Sequence, residues 1–502
     1  MSAAAAGARA PGAGWRLALS VWLAFSLFAT TNVVRETYLA IAVAESATIR
    51  VDPYLGLHPD LFEIPGRGGY INNNPGASFL GALPYAVARP VLDALYRARP
   101  GLVAPKPAAA YDDPRPNRTR FMNLARARGV DIKLGVAALV TAVGLMAPLG
   151  ALAAWAIFGY LRRRALPERQ ALGAAALYAV GTPMLFRSAF LNQNALLAHA
   201  VLAAVILMTG WSPRRPDTPI PAWSLAGIGG ILGMGLLCDY SAAPLLLVFG
   251  LWILVHHARG GLVAMLRAGA TYSAGALPGI LALLGYQWAA FGSPWFPAQR
   301  YMPATQYSVL GWNGFFVPTA ELLVGNLLDP RYGLFAFSPL LALAIAAPFV
   351  PRTAQDPDPR ATAWMLAAAA GLYVFSSANQ FALLQWNTGV RYLVPATPLL
   401  FLCALPVLRQ LPRLAAALVL GASVVLSLAV SMTRESIPDA LRLTLAEGPT
   451  LPVFIVLRKM ASGYPVLQFG VLGPLVAFGA LLAALWGLWR PWRRAQAGGR
   501  VA

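Results

Sequence analysis

The sequence predicts an all-α polytopic membrane protein of about 12 transmembrane helices, within about 10 to 14, and a long extracytoplasmic loop following the first of them. Three observations predict it. Of 502 residues, 58% are hydrophobic and 12% charged, where a soluble domain carries about 25% charged residues. Apolar runs of roughly 20 residues recur along the chain, each long enough to cross about 30 Å of hydrocarbon. The short loops between them are basic, which marks the cytoplasmic side of a membrane protein.

The spans fall near 15–34, 133–160, 171–189, 195–211, 222–238, 241–257, 266–289, 334–351, 361–377, 392–408, 414–432 and 466–489. Inside hydrocarbon each backbone N–H and C=O must be paired within its own segment, so these runs are helices. With a cytoplasmic N-terminus, alternation places Arg162–Arg164, Arg214–Arg215, Arg259–Arg267, Arg409–Arg413 and Arg490–Arg494 all inside. Residues 1–14 read as a disordered cytoplasmic tail, 15–489 as one transmembrane domain, and 490–502 as a basic cytoplasmic tail. The net charge of +20 is then a consequence of topology and calls for no nucleic acid.

Residues 76–96 are apolar but broken by Pro84, Arg89 and Pro90. If they crossed, Arg162–Arg164 would move outside. They are therefore expected to form a helix lying along the outer membrane surface, within a first extracytoplasmic loop of 35–131. A second large outer loop covers 290–333. Cys238 and Cys403 stand far apart in apolar surroundings and read as small core residues. The four histidines show no two-ligand spacing. No phosphate-loop, serine-hydrolase or zincin motif is present.

Polar residues are scarce, so their clusters carry information. Arg35-Glu36 stands where the first span leaves the bilayer. A carboxylate at that depth is partly desolvated, which strengthens its hold on a cation or proton, and Glu36 could serve as a general base. An ion pair with Arg35 that ends a helix is the plainer alternative. Asp52, His58 and Asp60 follow in a proline-stiffened segment that either lines a substrate or is a solvated loop. Tyr70-Ile71-Asn72-Asn73-Asn74-Pro75-Gly76 makes a turn into the apolar segment, and its amides suit sugar hydroxyls because each offers a donor and an acceptor. Asn192 and Asp239-Tyr240 sit at outer junctions. Trp and Tyr of the outer loops are explained first as interfacial residues. Arg331 and Arg391-Tyr392, also near the outer surface, could grip a phosphate or touch lipid headgroups.

In their order and spacing these pieces resemble the GT-C superfamily of membrane glycosyltransferases, which includes the protein O-mannosyltransferases and the aminoarabinose transferases that modify lipid A. Glu36 stands at the acidic position after the first span, and Tyr70–Gly76 resembles the turn entering the apolar segment. Gly181-Thr182-Pro183, Asp239-Tyr240, Phe291-Gly292-Ser293-Pro294, Arg331-Tyr332-Gly333, Ser338-Pro339 and Arg391-Tyr392-Leu393-Val394-Pro395 match further landmarks. Two departures stand out. Many relatives have Asp or Asp-Glu where this chain has Arg35-Glu36, and often a second carboxylate where it has Asn192-Gln193-Asn194.

The resemblance implies transfer of a sugar from a polyprenyl-phosphate donor to a cell-envelope acceptor (glycan, lipid or protein) at the outer face of a bacterial plasma membrane. Glu36 would be the base and Asp52 a second catalytic carboxylate. Arg35, His58, Asp60, Tyr70, Asn73, Asn74, Asn192, Asp239, Tyr240, Arg331, Arg391 and Tyr392 would bind substrate. The leaving phosphate would meet Arg391 or Arg331, with Lys133 a lesser choice. No metal ligand is assigned, although a divalent cation is compatible with such chemistry. A lipid-linked glycan transporter, or a scaffold that keeps the architecture without activity, are the alternatives. A carrier should place ionisable groups near mid-membrane, whereas the polar motifs here gather at one face.

Overall fold

The computed structural model describes residues 12–110, 116–212, 218–353, 355–460 and 470–498. Residues 1–11 and 499–502 of the expected tails, 111–115 of the first loop, and Arg214–Arg215 lie outside the described residues.

The helices that matter run in this order: α1 (Ala13–Leu27), α2 (Arg35–Ser46), α3 (Gly76–Ala98), α4 (Pro116–Ala127), α5 (Asp131–Arg163), α6 (Glu168–Val180), α7 (Gln193–Thr209), α8 (Ala222–Cys238), α9 (Ala242–His257), α10 (Leu262–Phe291), α11 (Pro339–Phe349), α12 (Pro359–Ala378), α13 (Thr397–Gln410), α14 (Arg413–Thr433), α15 (Ile437–Glu447) and α16 (Leu472–Gly498). Six are long and apolar enough to cross a membrane, α5, α9, α10, α12, α14 and α16, and five shorter apolar helices join them. The 13-residue α6 lies between two of them in sequence. The chain is an all-α polytopic membrane protein, relieved by one small hairpin, β1 (Leu61–Ile64) antiparallel to β2 (Gly68–Ile71).

Hydrogen bonds between helix ends sort the two faces. At one, Arg164 after α5 donates to the carbonyls of Thr209 and Gly210 at the end of α7. On the same face Arg16 of α1 bonds Leu488 of α16, Trp492 bonds Glu168 of α6, and Arg409 of α13 pairs with Asp356 before α12. The basic short loops therefore share this face. At the other, Thr30 N–H after α1 donates to the Ala189 carbonyl before α7 at 2.8 Å. Asn74 there reaches the Leu236 carbonyl near the end of α8 at 2.7 Å. The described residues of the first long loop gather at this second face.

Packing within the bundle relies on small residues, as expected where lipid tails compete with side chains for apolar contact. Gly229 and Gly233 of α8 face Gly275 and Gly279 of α10. A Cβ on Gly229 would lie 2.0 Å from the Tyr272 carbonyl oxygen, and one on Gly275 2.1 Å from that of Ala226. The two backbones touch directly.

The segment 76–96 folds as the amphipathic helix α3, which is not among the apolar crossing helices. Gly76, Ala77, Gly81, Ala82 and Tyr85 are buried, while Leu83, Val87, Val91 and Leu95 form an exposed stripe at four-residue spacing. Its buried side meets α2, α5 and α8. Pro84 faces Gly144 within a single π-helical turn, Ala142–Met146, that interrupts α5. Cys238 and Cys403 are buried and unbonded.

Candidate active site

At the second face α1, α7 and α8 converge on the first loop, and charged residues gather there. The chain leaves α1 at Leu27 and re-enters a helix at Arg35, so Arg35 and Glu36 occupy the first turn of α2. A carboxylate in the first turn is favoured by the helix dipole. Both side chains are nevertheless buried, at 9% and 2% exposure, and burial of charge demands partners.

Glu36 finds them on one oxygen. Its Oε1 accepts from Arg35 Nε at 3.1 Å and from Asn73 Nδ2 at 2.8 Å. With the Gln193 amide turned so that its nitrogen faces the carboxylate, Oε1 also accepts from Gln193 at 3.0 Å. The Gln193 oxygen then accepts from Arg35 Nη2 and Asn73 Nδ2. Among the described residues no donor lies within hydrogen-bond distance of Oε2. One oxygen is saturated and its twin is unclaimed.

Arg35 joins this carboxylate to a second. Its Nη1 lies 2.5 Å from Asp60 Oδ2, and Asp60 Oδ1 accepts from Asn72 Nδ2 at 3.0 Å. The hairpin sets this geometry, because Asn72 N–H also donates to the Asp60 carbonyl, extending the β1–β2 ladder by one residue. Burial works to raise the Asp60 pKa, but Arg35, His58 and Arg391 outweigh it and hold the carboxylate at about 2. The Asp60 side chain keeps 29% of its surface accessible, so water reaches this ion pair. His58 Nδ1 accepts from the Asp60 N–H, and its ring stacks near Phe121. Burial, aided by Arg35 and Arg391 against Asp60 and Glu36, lowers the His58 pKa and keeps the imidazole neutral. The Arg35 guanidinium is held charged more firmly than usual: burial opposes this, and Glu36 and Asp60 prevail.

A second arginine approaches from the far end of the chain. Arg391 and Tyr392 precede α13, and both backbone N–H groups donate to Gln385 Oε1, at 2.9 and 3.0 Å. Gln385 is held in turn by Asn326, and Asn326 by Ser377. Arg391 Nη2 contacts the Tyr392 hydroxyl at 3.2 Å, and its Nε is buried with no partner. Arg187, in the one-turn helix Met184–Arg187, is 1% exposed. It donates to the carbonyls of Thr388, Gly389 and Val390 and so fixes the loop that carries Arg391. Burial, with Arg434 and Arg391 nearby, drives the Arg187 pKa below its ordinary value. Neither Arg187 nor Arg391 has an ion pair within 4 Å among the described residues, and Arg391 acts on Asp60 from beyond that distance.

Other expected residues are close by or elsewhere. Asn74 ties the turn to α8, and a Cβ on Gly76 would meet the Leu237 carbonyl at 2.7 Å. Asn192 caps α7 by accepting from Ala195 N–H. Asp239 accepts from Ser241 N–H and, at 3.4 Å, from Asn194, whose Oδ1 is buried and unpartnered. Tyr240 bonds Gln287 of α10. Tyr70 points away, its hydroxyl on the Arg67 carbonyl and its ring against Phe291.

Asp52 is not brought to Glu36. It accepts from Gly69 N–H and from Arg50, both at 2.8 Å, three residues along β2 from Asn72, or about 10 Å. Arg331 is exposed and closes on Asp329 at 2.6 Å, and Lys133 pairs with Glu45 at 2.7 Å. No three His, Cys, Asp or Glu side chains converge on a common point among the described residues. The Arg35 guanidinium occupies the place between Glu36 and Asp60 where a shared cation would lie.

Sequence reasoning missed the role of Gln193, whose position seemed to mark a missing carboxylate. Asn72 and Gln385 were not singled out either. The run of three asparagines was the available signal for Asn72; Gln385 had none.

No protein-family model matches the chain, and no curated protein matches it. Among solved structures it is similar to the crystal structure of ArnT from Cupriavidus metallidurans bound to undecaprenyl phosphate, at 15% sequence identity and a TM-score of 0.48. That match covers 97% of this chain and 77% of the other.

Proposed function

We propose that this chain is a membrane glycosyltransferase of the GT-C type. It moves a sugar from a polyprenyl-phosphate donor to a hydroxyl of a cell-envelope glycan, lipid or protein at the outer face of a bacterial plasma membrane, with both termini cytoplasmic. The observation that carries this reading is the asymmetry of Glu36. Three donors hold Oε1 and orient the carboxylate, while Oε2 remains available to a proton. A general base must be fixed in place and still have an open lone pair.

In the proposed reaction Glu36 Oε2 takes the proton of the acceptor hydroxyl as its oxygen bonds to the anomeric carbon. The bond from that carbon to the phosphate oxygen breaks, and the electron pair leaves with the phosphate. Arg391 receives the developing charge, which a guanidinium can do with two parallel hydrogen bonds. Arg35, Asn73 and Gln193 hold Glu36, and Asp60, itself held by Asn72, holds Arg35, so the base need not reorganise. A donor that partitions into lipid needs no soluble nucleotide-binding domain.

The test compares envelope glycans and polyprenyl-phosphate sugars by mass spectrometry in a deletion strain carrying no copy, wild type, or Glu36→Gln. The deletion should lose one sugar, wild type should restore it, and Glu36→Gln at equal expression should not. Full restoration by Glu36→Gln would sink the catalytic assignment. No glycan change in the deletion would sink the transferase reading.

A further inference from the structure

A cavity of about 570 Å³ opens at the face opposite the Glu36 cluster. Its walls are the ends of α5, α7 and α9 and the start of α12. The 17 residues of α7 separate Gln193 from Thr209 at its rim, which is about 25 Å at 1.5 Å per residue. Arg164, Trp252, Arg259, Arg352, Arg360 and Trp364 are prominent in the lining.

Among the described residues four arginines and two aspartates, Asp356 and Asp358, line the cavity, and Arg259 makes a contact of its own. Asp356 is engaged by Arg409, and Asp358 caps α12 by accepting from Arg360 and Ala361 N–H. Arg352 is turned onto the carbonyls of Ala347 and Pro357 and the Thr362 hydroxyl.

Arg164 is the telling residue. It is 5% exposed, packs over the Tyr160 ring at 4.2 Å, and donates only to the carbonyls of Thr209 and Gly210. Its Nε is buried without a partner, and no carboxylate lies within ion-pair distance among the described residues. A buried cation lacking a counter-charge is unfavourable unless an anion arrives. The floor is apolar and aromatic: Trp252 and Trp364 stack at 6.3 Å with planes 8° apart. Leading away from it, Leu247, Leu251 and the lining residue Val255 form an exposed stripe at four-residue spacing on α9 that ends one turn before Arg259.

We propose that this cavity binds the phosphate headgroup of an anionic phospholipid from the leaflet on the basic-loop side. The phosphate would sit between Arg164, Arg259 and Arg360, and an acyl chain would follow the α9 stripe. Basic pockets between helix ends at the cytoplasmic surface suit such headgroups. The stripe distinguishes a lipid from free phosphate, which would gain nothing from it. This inference does not rest on the proposed transferase activity.

The experiment uses the full chain, released from nanodiscs containing equal amounts of phosphatidylglycerol and phosphatidylcholine and weighed by native mass spectrometry. Wild type should retain phosphatidylglycerol preferentially. Arg259→Gln with Arg360→Gln, both at exposed positions, should cut that preference by about fivefold per arginine while the melting temperature holds. Arg164→Gln should lower it further. Millimolar glycerol 3-phosphate should not displace the lipid. Equal retention of both lipids, or an unchanged preference in the double variant, overturns the site. Displacement by glycerol 3-phosphate overturns the lipid as its occupant and points to a soluble phosphate.

Discussion

Asn73 and Glu36 are 37 residues apart in sequence, and the Asn73 amide nitrogen lies 2.8 Å from Glu36 Oε1. The contact joins the asparagine turn to the start of α2 and leaves Oε2 without a donor among the described residues. Asn73→Ala should therefore lower turnover by about tenfold or more while donor binding changes little, because an orienting hydrogen bond to a charged group is worth about 1.5–3 kcal/mol. Asn73→Asp should do worse, since it sets a second negative charge against Glu36. Turnover and KM for a purified polyprenyl-phosphate sugar would check this; an unchanged kcat for Asn73→Ala counts against an orienting role.

Arg187 is a buried brace for the segment that presents Arg391. Arg187→Ala removes donors from three carbonyls, at Thr388, Gly389 and Val390, and opens a void. Loss on the order of 3 kcal/mol is expected, read as a lower melting temperature in detergent. Arg187→Lys should recover little of it, because one ammonium cannot reproduce the planar fork.

Acid should destabilise the outer loop through two groups acting in the same direction. The folded protein holds His58 below its usual pKa of 6.5, so as pH falls below 6.5 the unfolded chain takes up the proton first and stability declines. Asp60, held at about 2 against 3.8, contributes stability that is fully present above pH 3.8 and is lost toward pH 2. Between pH 6.5 and 5 the decline should stay under about 1.4 kcal/mol per pH unit for one proton. Melting curves of wild type and His58→Asn would show it, with the slope reduced in the variant.

Asp52→Asn should leave turnover within about twofold of wild type and lower stability by about 1 kcal/mol, the scale of a weakened hydrogen bond to Gly69 N–H. Loss of activity at unchanged stability would return Asp52 to the chemistry.

Much of the fold was legible because hydrocarbon permits few solutions. Apolar runs of sufficient length must be helices. The broken pattern of 76–96 likewise identified α3 as distinct from the passes. Glu36 was legible as a rare carboxylate at a helix exit. Its surroundings were less so. Gln193 reaches it across the whole of α5 and α6, and Arg187 meets Val390 over a separation of 203 residues; no local pattern encodes either meeting. The β1–β2 hairpin was missed because strands of four residues give too short an alternation to stand out beside helical runs.

The bare glycine seam between α8 and α10 limits how this enzyme candidate can move. With Gly229 and Gly275 against carbonyl oxygens, these helices have no side-chain cushion on which to slide, and they behave as one strut. Asp239 and Tyr240 at the end of α8, and Gln287 on α10, ride on that strut and form a stationary wall. The asparagine turn is joined to the same strut, because Asn74 bonds the Leu236 carbonyl and Gly76 abuts the Leu237 backbone. Glu36, held by Asn73 of that turn, is thereby positioned against the same pair of helices.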